Sequence, residues 1–176
     1  MKLQQSSIFQ LTVHFEDVDF NGVVHHPNYL KYLERARSFS IKACGYSVEK
    51  MLASGFSLVV SKIQANYLRP ALIEQNLFVI SRVVFVGKTI VKLYQSITSQ
   101  LPTNQELEMV GEEIFSLSGT IFWAQLEIVC IDLKSAKPKS IPCDLKQAIK
   151  TSNKDLFLNT IPISNTETLT PSLQIV

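Results

Sequence analysis

The densest set of reactive side chains lies between Asp17 and Pro27, inside the stretch VHFEDVDFNGVVHHPNYLKYLERAR at residues 13–37. Asp17 and Asp19 stand two residues apart, Asn21-Gly22 follows, and His25 and His26 precede Pro27. A carboxylate is a nucleophile or a general base. The first amides of a helix lack intrahelical acceptors and carry partial positive charge. They bind anions, or polarise a carbonyl oxygen that becomes anionic in a transition state. Pro27 marks such a helix start near His26. A carboxylate held just upstream of it makes a minimal acyl-transfer site.

The same residues also read as an ordinary connection. Acidic residues offset a helix dipole, and Asp-Val-Asp and Asn-Gly are common turn chemistry. Local physics leaves both readings open. His25 and His26 likewise read either as hydrogen-bonding histidines or as bases. Two adjacent histidines without further ligands nearby do not make a zinc set, so no metal is expected. His14 falls in the preceding strand.

These groups need elements to position them. IFQLTVHF, residues 8–15, puts Leu11, Val13 and Phe15 on one face and Thr12 and His14 on the other, which predicts a strand. From Pro27 a helix runs to a stop at Gly45. Its apolar residues, among them Tyr29, Leu30, Tyr32, Leu33, Ala36 and Phe39, cover most of the circumference, which predicts a helix enclosed by protein. Residues 47–55 predict a second, short helix ended by Gly55. FSLVVSKIQANYL, NLFVISRVVFVG, TIVKLYQSITS and GTIFWAQLEIVCIDL then read as successive strands paired as an antiparallel meander. Gly87-Lys88 marks a tight turn between the second and third of these. One helix with a sheet curling around it is an α+β arrangement. Residues 99–118 are long for a hairpin connection and predict either a flexible excursion or a strand lengthened over 112–117. The expected domain is residues 1–145, with 146–176 a polar, loosely ordered tail.

The whole chain narrows the function classes. Its 176 residues suit one domain with a real core. A net charge of +2, carried by scattered lysines and arginines, argues against nucleic acid as partner. Cys44, Cys130 and Cys143 show no paired or metal-type spacing, which fits thiols in a reducing compartment. With neither a secretory leader pattern nor an apolar run long enough to span a membrane, the expected location is cytoplasmic.

The pattern F-E-D-x-D-x-x-G-V-V-x-H-x-N-Y-x-x-Y-x-E-x-A-R, from Phe15 to Arg37, resembles the 4-hydroxybenzoyl-CoA thioesterase family of hotdog-fold proteins. Within that family it is most similar to the YbgC-like acyl-CoA thioesterases linked with the Tol-Pal system. The likeness continues through LVVSKIQANYLRPALIEQ and ends near VCIDLKSAKPKSIP, covering residues 8–145. It implies a hotdog fold, an antiparallel sheet wrapped around one central helix. It also implies hydrolysis of an acyl-CoA thioester to free CoA and a carboxylic acid. Asp19, not Asp17, matches the family's catalytic aspartate, as nucleophile or general base. His26 matches a histidine kept near the helix start, with its backbone amide where the carbonyl is polarised. Gly22 matches the glycine that lets the loop turn back. Pro27 stands where a small residue is usual, and His25 where an aromatic is usual. Glu34 is a reserve candidate, because some hotdog thioesterases place their carboxylate on the helix.

No cofactor is implied, since coenzyme A is part of the substrate; an acyl carrier protein offers the same phosphopantetheine arm. The CoA phosphates call for basic residues, for which Lys62, Arg69, Lys88, Lys137 and Lys139 are the candidates. The family places its site between subunits, which implies a homodimer at least and commonly a homotetramer. Two alternatives stand beside this reading. DFNGVVH echoes the D-x-N-x-x-H motif of hotdog hydratases and dehydratases, with one extra residue before His25. A non-catalytic hotdog binding protein is the other. The acyl group is not legible, because pocket depth depends on how several strands meet.

Overall fold

The computed structural model describes residues 5–109 and 111–151. Its elements are β1 (Gln5–Thr12), a 3-10 turn (Phe15–Asp17), α1 (His26–Ala43), α2 (Val48–Ala53), β2 (Phe56–Tyr67), β3 (Asn76–Val86), β4 (Ile90–Thr98), α3 (Asn104–Glu108), a second 3-10 turn (Gly111–Ser116), β5 (Thr120–Asp132) and α4 (Cys143–Thr151). Gly45 and Gly55 sit at positive φ just past α1 and α2, where a Cβ would be strained. The strands form one antiparallel sheet in the order β1-β3-β4-β5-β2.

Alternation decides which side of the sheet each residue serves. Leu77 and Val79 of β3, Leu93 and Ile97 of β4, and Phe122, Ala124 and Leu126 of β5 pack under α1. Ile80 and Phe78 of β3 and Tyr94 of β4 face the other way. The arrangement is the expected α+β hotdog, but several of its details differ from expectation.

First, the meander holds only for β3, β4 and β5. β2 does not pair with β3; it lies against β5, from Phe56↔Asp132 to Tyr67↔Phe122, and among the described residues its other edge is unpaired. The chain after Tyr67 crosses the end of the sheet instead, where Val23 bridges Leu72. Second, α1 is covered on one face only within the chain. Tyr29, Tyr32, Leu33 and Ala36 are buried, while Leu30, Lys31, Glu34 and Arg35 are exposed.

Residues 99–118 form neither an open excursion nor a longer strand. They carry α3 and the second 3-10 turn, and pack over the face of the sheet away from α1. Ile114 and Leu117 join Ile8 and Ile80 there, and Phe115 stacks on Trp123 at 4.1 Å. Arg82, 2% exposed, reaches out of β3 to fix this cover. Its Nε donates to Ser6 Oγ (2.7 Å), and its Nη groups donate to the carbonyls of Leu107 (2.9 Å) and Met109.

The packed chain also runs past the boundary expected at residue 145. α4 buries Leu145 and Ile149 in a second cluster with Tyr46, Met51, Phe56, Val91 and Cys130, because its apolar residues recur four apart. The rest of the expected tail, 152–176, lies outside the described residues. None of the three cysteines is in a disulfide: Cys130 is buried, Cys44 half-buried and Cys143 exposed. Among the described residues no helix is long and apolar enough to cross a membrane.

Candidate active site

Asp17 and Asp19 belong to one small hairpin but do different work. Val18 bridges Val24, the Asp19 amide donates to the Val23 carbonyl (2.9 Å), and the Gly22 amide donates to the Asp19 carbonyl (2.9 Å). Gly22 has φ +74°, the left-handed residue that closes a three-residue hairpin loop. The Asp19 Oδ1 accepts from the Asn21 amide (2.8 Å), which holds the carboxylate at the hairpin tip; among the described residues no donor meets its other oxygen. Asp19 is half-buried.

Asp17 sits at the hairpin base and is 4% exposed. Its Oδ2 accepts from the His14 amide (3.2 Å). Its carbonyl accepts from the His25 amide (2.9 Å) and from Asn28 Nδ2 (2.8 Å). The hairpin is thereby tied to the start of α1, with Asp19 about 7 Å further along the ladder than Asp17.

At that start, His25 is the N-cap and Pro27 lacks an N–H. The Asn28 amide donates to the His25 carbonyl (2.9 Å). Among the described residues this leaves the His26 amide as the first-turn donor without a protein acceptor. Both imidazoles are exposed and lie edge to face at 4.8 Å.

Tyr67, at the end of β2, is a site residue that the motif did not single out. It is 49% exposed, and its hydroxyl donates to the His26 carbonyl (3.2 Å). Its ring packs on Phe122 (4.9 Å) and Tyr29 (5.5 Å), and lies 6.4 Å from that of His26. The signal available for it was the similarity running through QANYLRP, which contains it. Tyr29 itself is core: its hydroxyl accepts from the Ala71 amide (2.9 Å), and burial pushes the phenol above its ordinary range. Ile63 of β2 and Leu30 of α1 are partly exposed apolar side chains.

Glu34 lies on the exposed side of α1 and pairs with Arg37. Arg37 in turn donates to Gln95 Oε1 (2.8 Å), and the fully buried Gln95 donates to Ser81 Oγ (2.7 Å) and the Leu33 carbonyl (3.2 Å). The five basic candidates are not gathered by one chain. Arg69 follows Tyr67, at the end of the sheet that carries Asp19 and His26. Lys62 alternates with Ile63 and stands opposite Glu127, on the face away from α1. Lys139 donates to Asp132 (3.1 Å) and to the Gly55 carbonyl (3.2 Å), before the first residue of β2. Lys137 and Lys88 share that end through Asp132 and Ile141. The twelve residues of β2 separate it from Tyr67 by roughly 35–40 Å. Among the described residues no three His, Cys, Asp or Glu side chains group as metal ligands.

Comparison with known proteins bears on what this geometry serves. The family model described as thioesterase-like superfamily matches residues 13–149. The acyl-CoA thioester hydrolase YbgC of Escherichia coli is 27% identical over 130 residues, covering 74% of this chain and 85% of that protein. The acyl-CoA thioesterase YbgC of Helicobacter pylori is 36% identical over 88 residues, covering 48% of this chain and 62% of that protein. Among solved structures, a probable thioesterase from Bartonella henselae superposes with a TM-score of 0.63 at 28% identity, covering 78% of this chain and 100% of that one.

Proposed function

This chain belongs to the thioesterase-like superfamily, and from that membership we propose that it hydrolyses acyl-CoA thioesters to free coenzyme A and a carboxylic acid. The observation that carries the residue assignment is the hairpin of Asp19 tied at its base to a helix start whose His26 amide has no acceptor among the described residues. The thioester carbonyl oxygen accepts from that amide, which stabilises the negative charge the oxygen gains as its carbon becomes tetrahedral. Asp19 acts in one of two ways. As nucleophile it forms a mixed anhydride and expels the CoA thiolate, and water then opens the anhydride. As general base it takes the proton of the attacking water and returns it to the leaving thiolate. Either route needs only water and the thioester. Gly22 and Pro27 serve by shape, one turning the hairpin and the other fixing the helix start.

The working assembly is a homodimer at least. β2 leaves an unpaired edge and carries the exposed Val59, Val60 and Ile63, and a long bare apolar edge strand invites a second chain. The partner substrate is an acyl-CoA, with an acyl carrier protein thioester offering the same arm.

The test is thiol release by the purified chain from a panel of acyl-CoA and acyl carrier protein thioesters, with hydration of an enoyl-CoA followed in parallel. Asp19→Ala is expected to lower kcat by about 10²–10⁴-fold, the range of a lost catalytic base. Unchanged hydrolysis by a folded Asp19→Ala protein would overturn the assignment, and enoyl hydration without hydrolysis would overturn the activity.

A further inference from the structure

The motif carries a second aspartate that the reaction above does not use. Asp17 is 4% exposed, and among the described residues no cation pairs with its carboxylate. Tyr32 is 0% exposed, and among the described residues its hydroxyl closes no hydrogen bond. Burial first, and then the Asp17 side chain, push that phenol well above its ordinary range. A desolvated carboxylate beside an orphan hydroxyl is costly, and native structures keep few of them. What this one holds in place is the helix start. The carboxylate caps the 3-10 turn at the His14 amide, which orients the peptide of Asp17. The carbonyl of the same peptide takes both the His25 amide and the Asn28 side chain.

We infer that Asp17 is a positioning residue for thioester hydrolysis: its buried side chain, held by the His14 amide, aims its own carbonyl at the start of α1 and so fixes the His26 amide relative to Asp19. This rests on the function proposed above. It assigns Asp17 an effect on the rate of the chemical step without contact with the substrate. Uncharged asparagine should replace it, because a carboxamide accepts from the His14 amide and offers an N–H to the Tyr32 hydroxyl. Alanine should not.

The experiment compares Asp17→Ala and Asp17→Asn with the parent in the full chain, by steady-state kinetics on an acyl-CoA and by hydrogen exchange over residues 13–28. Asp17→Ala is expected to lose about 10–100-fold in kcat, the scale of a misplaced reacting group, with KM held within about twofold. Exchange over 13–28 should quicken in Asp17→Ala, and both effects should be rescued in Asp17→Asn. If Asp17→Ala does not fold, Asp17→Ser, which keeps a short acceptor, takes its place. Full activity in the truncated variant overturns the inference. So does an asparagine variant as slow as alanine with parent-like exchange, since the charge itself would then take part. If the parent hydrolyses no thioester, the functional reading fails and the exchange arm still decides: equal exchange in the alanine and asparagine variants overturns the positioning role.

Discussion

The Tyr67 hydroxyl donates to the His26 carbonyl at 3.2 Å, joining the last residue of the edge strand β2 to the first residue of α1. The bond lies at the surface, so its net worth is at the low end, about 0.5–1 kcal/mol. Tyr67→Phe should therefore leave thermal stability almost unchanged. Tyr67→Ala also removes a ring packed on Phe122 and Tyr29, and should destabilise by about 1.5–3 kcal/mol, below a fully buried aromatic because half of the ring is exposed. Denaturant unfolding of the two variants separates the terms. A phenylalanine variant as unstable as alanine would show that the hydroxyl, not the ring, holds the junction.

Acid should loosen the molecule at places remote from the site. The Ser135 amide, then Lys139, hold Asp132 at about 2. The Tyr46 hydroxyl lowers Asp144, and the Thr103 amide lowers Glu106. Each folded-state carboxyl titrates below its unfolded counterpart, so the folded chain binds fewer protons in between. The stabilisation is complete above about pH 4–5 and is lost as pH falls towards about 2. Thermal unfolding followed from pH 7 to 2 should show that decline, and Asp132→Asn should flatten part of it. A slope unchanged in that variant would remove Asp132 from the account.

The sequence made the element types and the polar hairpin legible, because both are written locally. Alternation marks the strands, Pro27 and Gly45 bracket α1, and the family resemblance carried from Phe15 to Arg37 singled out Asp19. What it hid depends on residues far apart. That β2 lies on β5 is decided by Ile63, Ala65 and Tyr67 meeting Leu126, Ala124 and Phe122. Tyr67 looks like any aromatic at a strand end until the fold brings it to His26. Likewise, nothing near Arg82 says that its acceptors lie about 25 residues onward, which is why residues 99–118 read as an excursion.

That cover over the sheet has its own reporter. Trp123 is the only tryptophan in the chain and stacks on Phe115. Arg82→Met keeps the length of the side chain but leaves Ser6 Oγ and the Leu107 and Met109 carbonyls without their donor. One buried and two part-buried acceptors then go unpaired, and a loss of about 2–4 kcal/mol is expected. Tryptophan emission should shift to the red as Phe115 lifts away. Because the cover lies across the sheet from α1, kcat should stay within about twofold, as for independent sites. A large loss of kcat with unshifted emission would show that Arg82 acts on the site by some other route.

The separated lysines give the strongest test of the pair of chains. Within one chain Lys137 and Lys139 lie at the far end of β2 from His26 and Arg69. Two β2 edges paired antiparallel about their midpoint reverse this, since residue i of one chain meets residue j of the other under two-fold symmetry. The Phe56 end of the second copy then stands beside the Tyr67 end of the first. In such a pair Lys137 of the second copy would join Arg69 there, where the phosphates of coenzyme A need cations. Arg69→Ala and Lys137→Ala should each raise KM for an acyl-CoA by about 3–10-fold, as exposed charge contacts do, and leave KM for the matching acyl-pantetheine unchanged. Mixing decides whether the two residues serve one site from different chains. A mixed pair holds one site that lacks both cations and one site that has both. Activity at low acyl-CoA should therefore rise when the two variants are unfolded and refolded together. If Lys137 acted on the site of its own chain, every site in the mixture would stay defective and no activity would return.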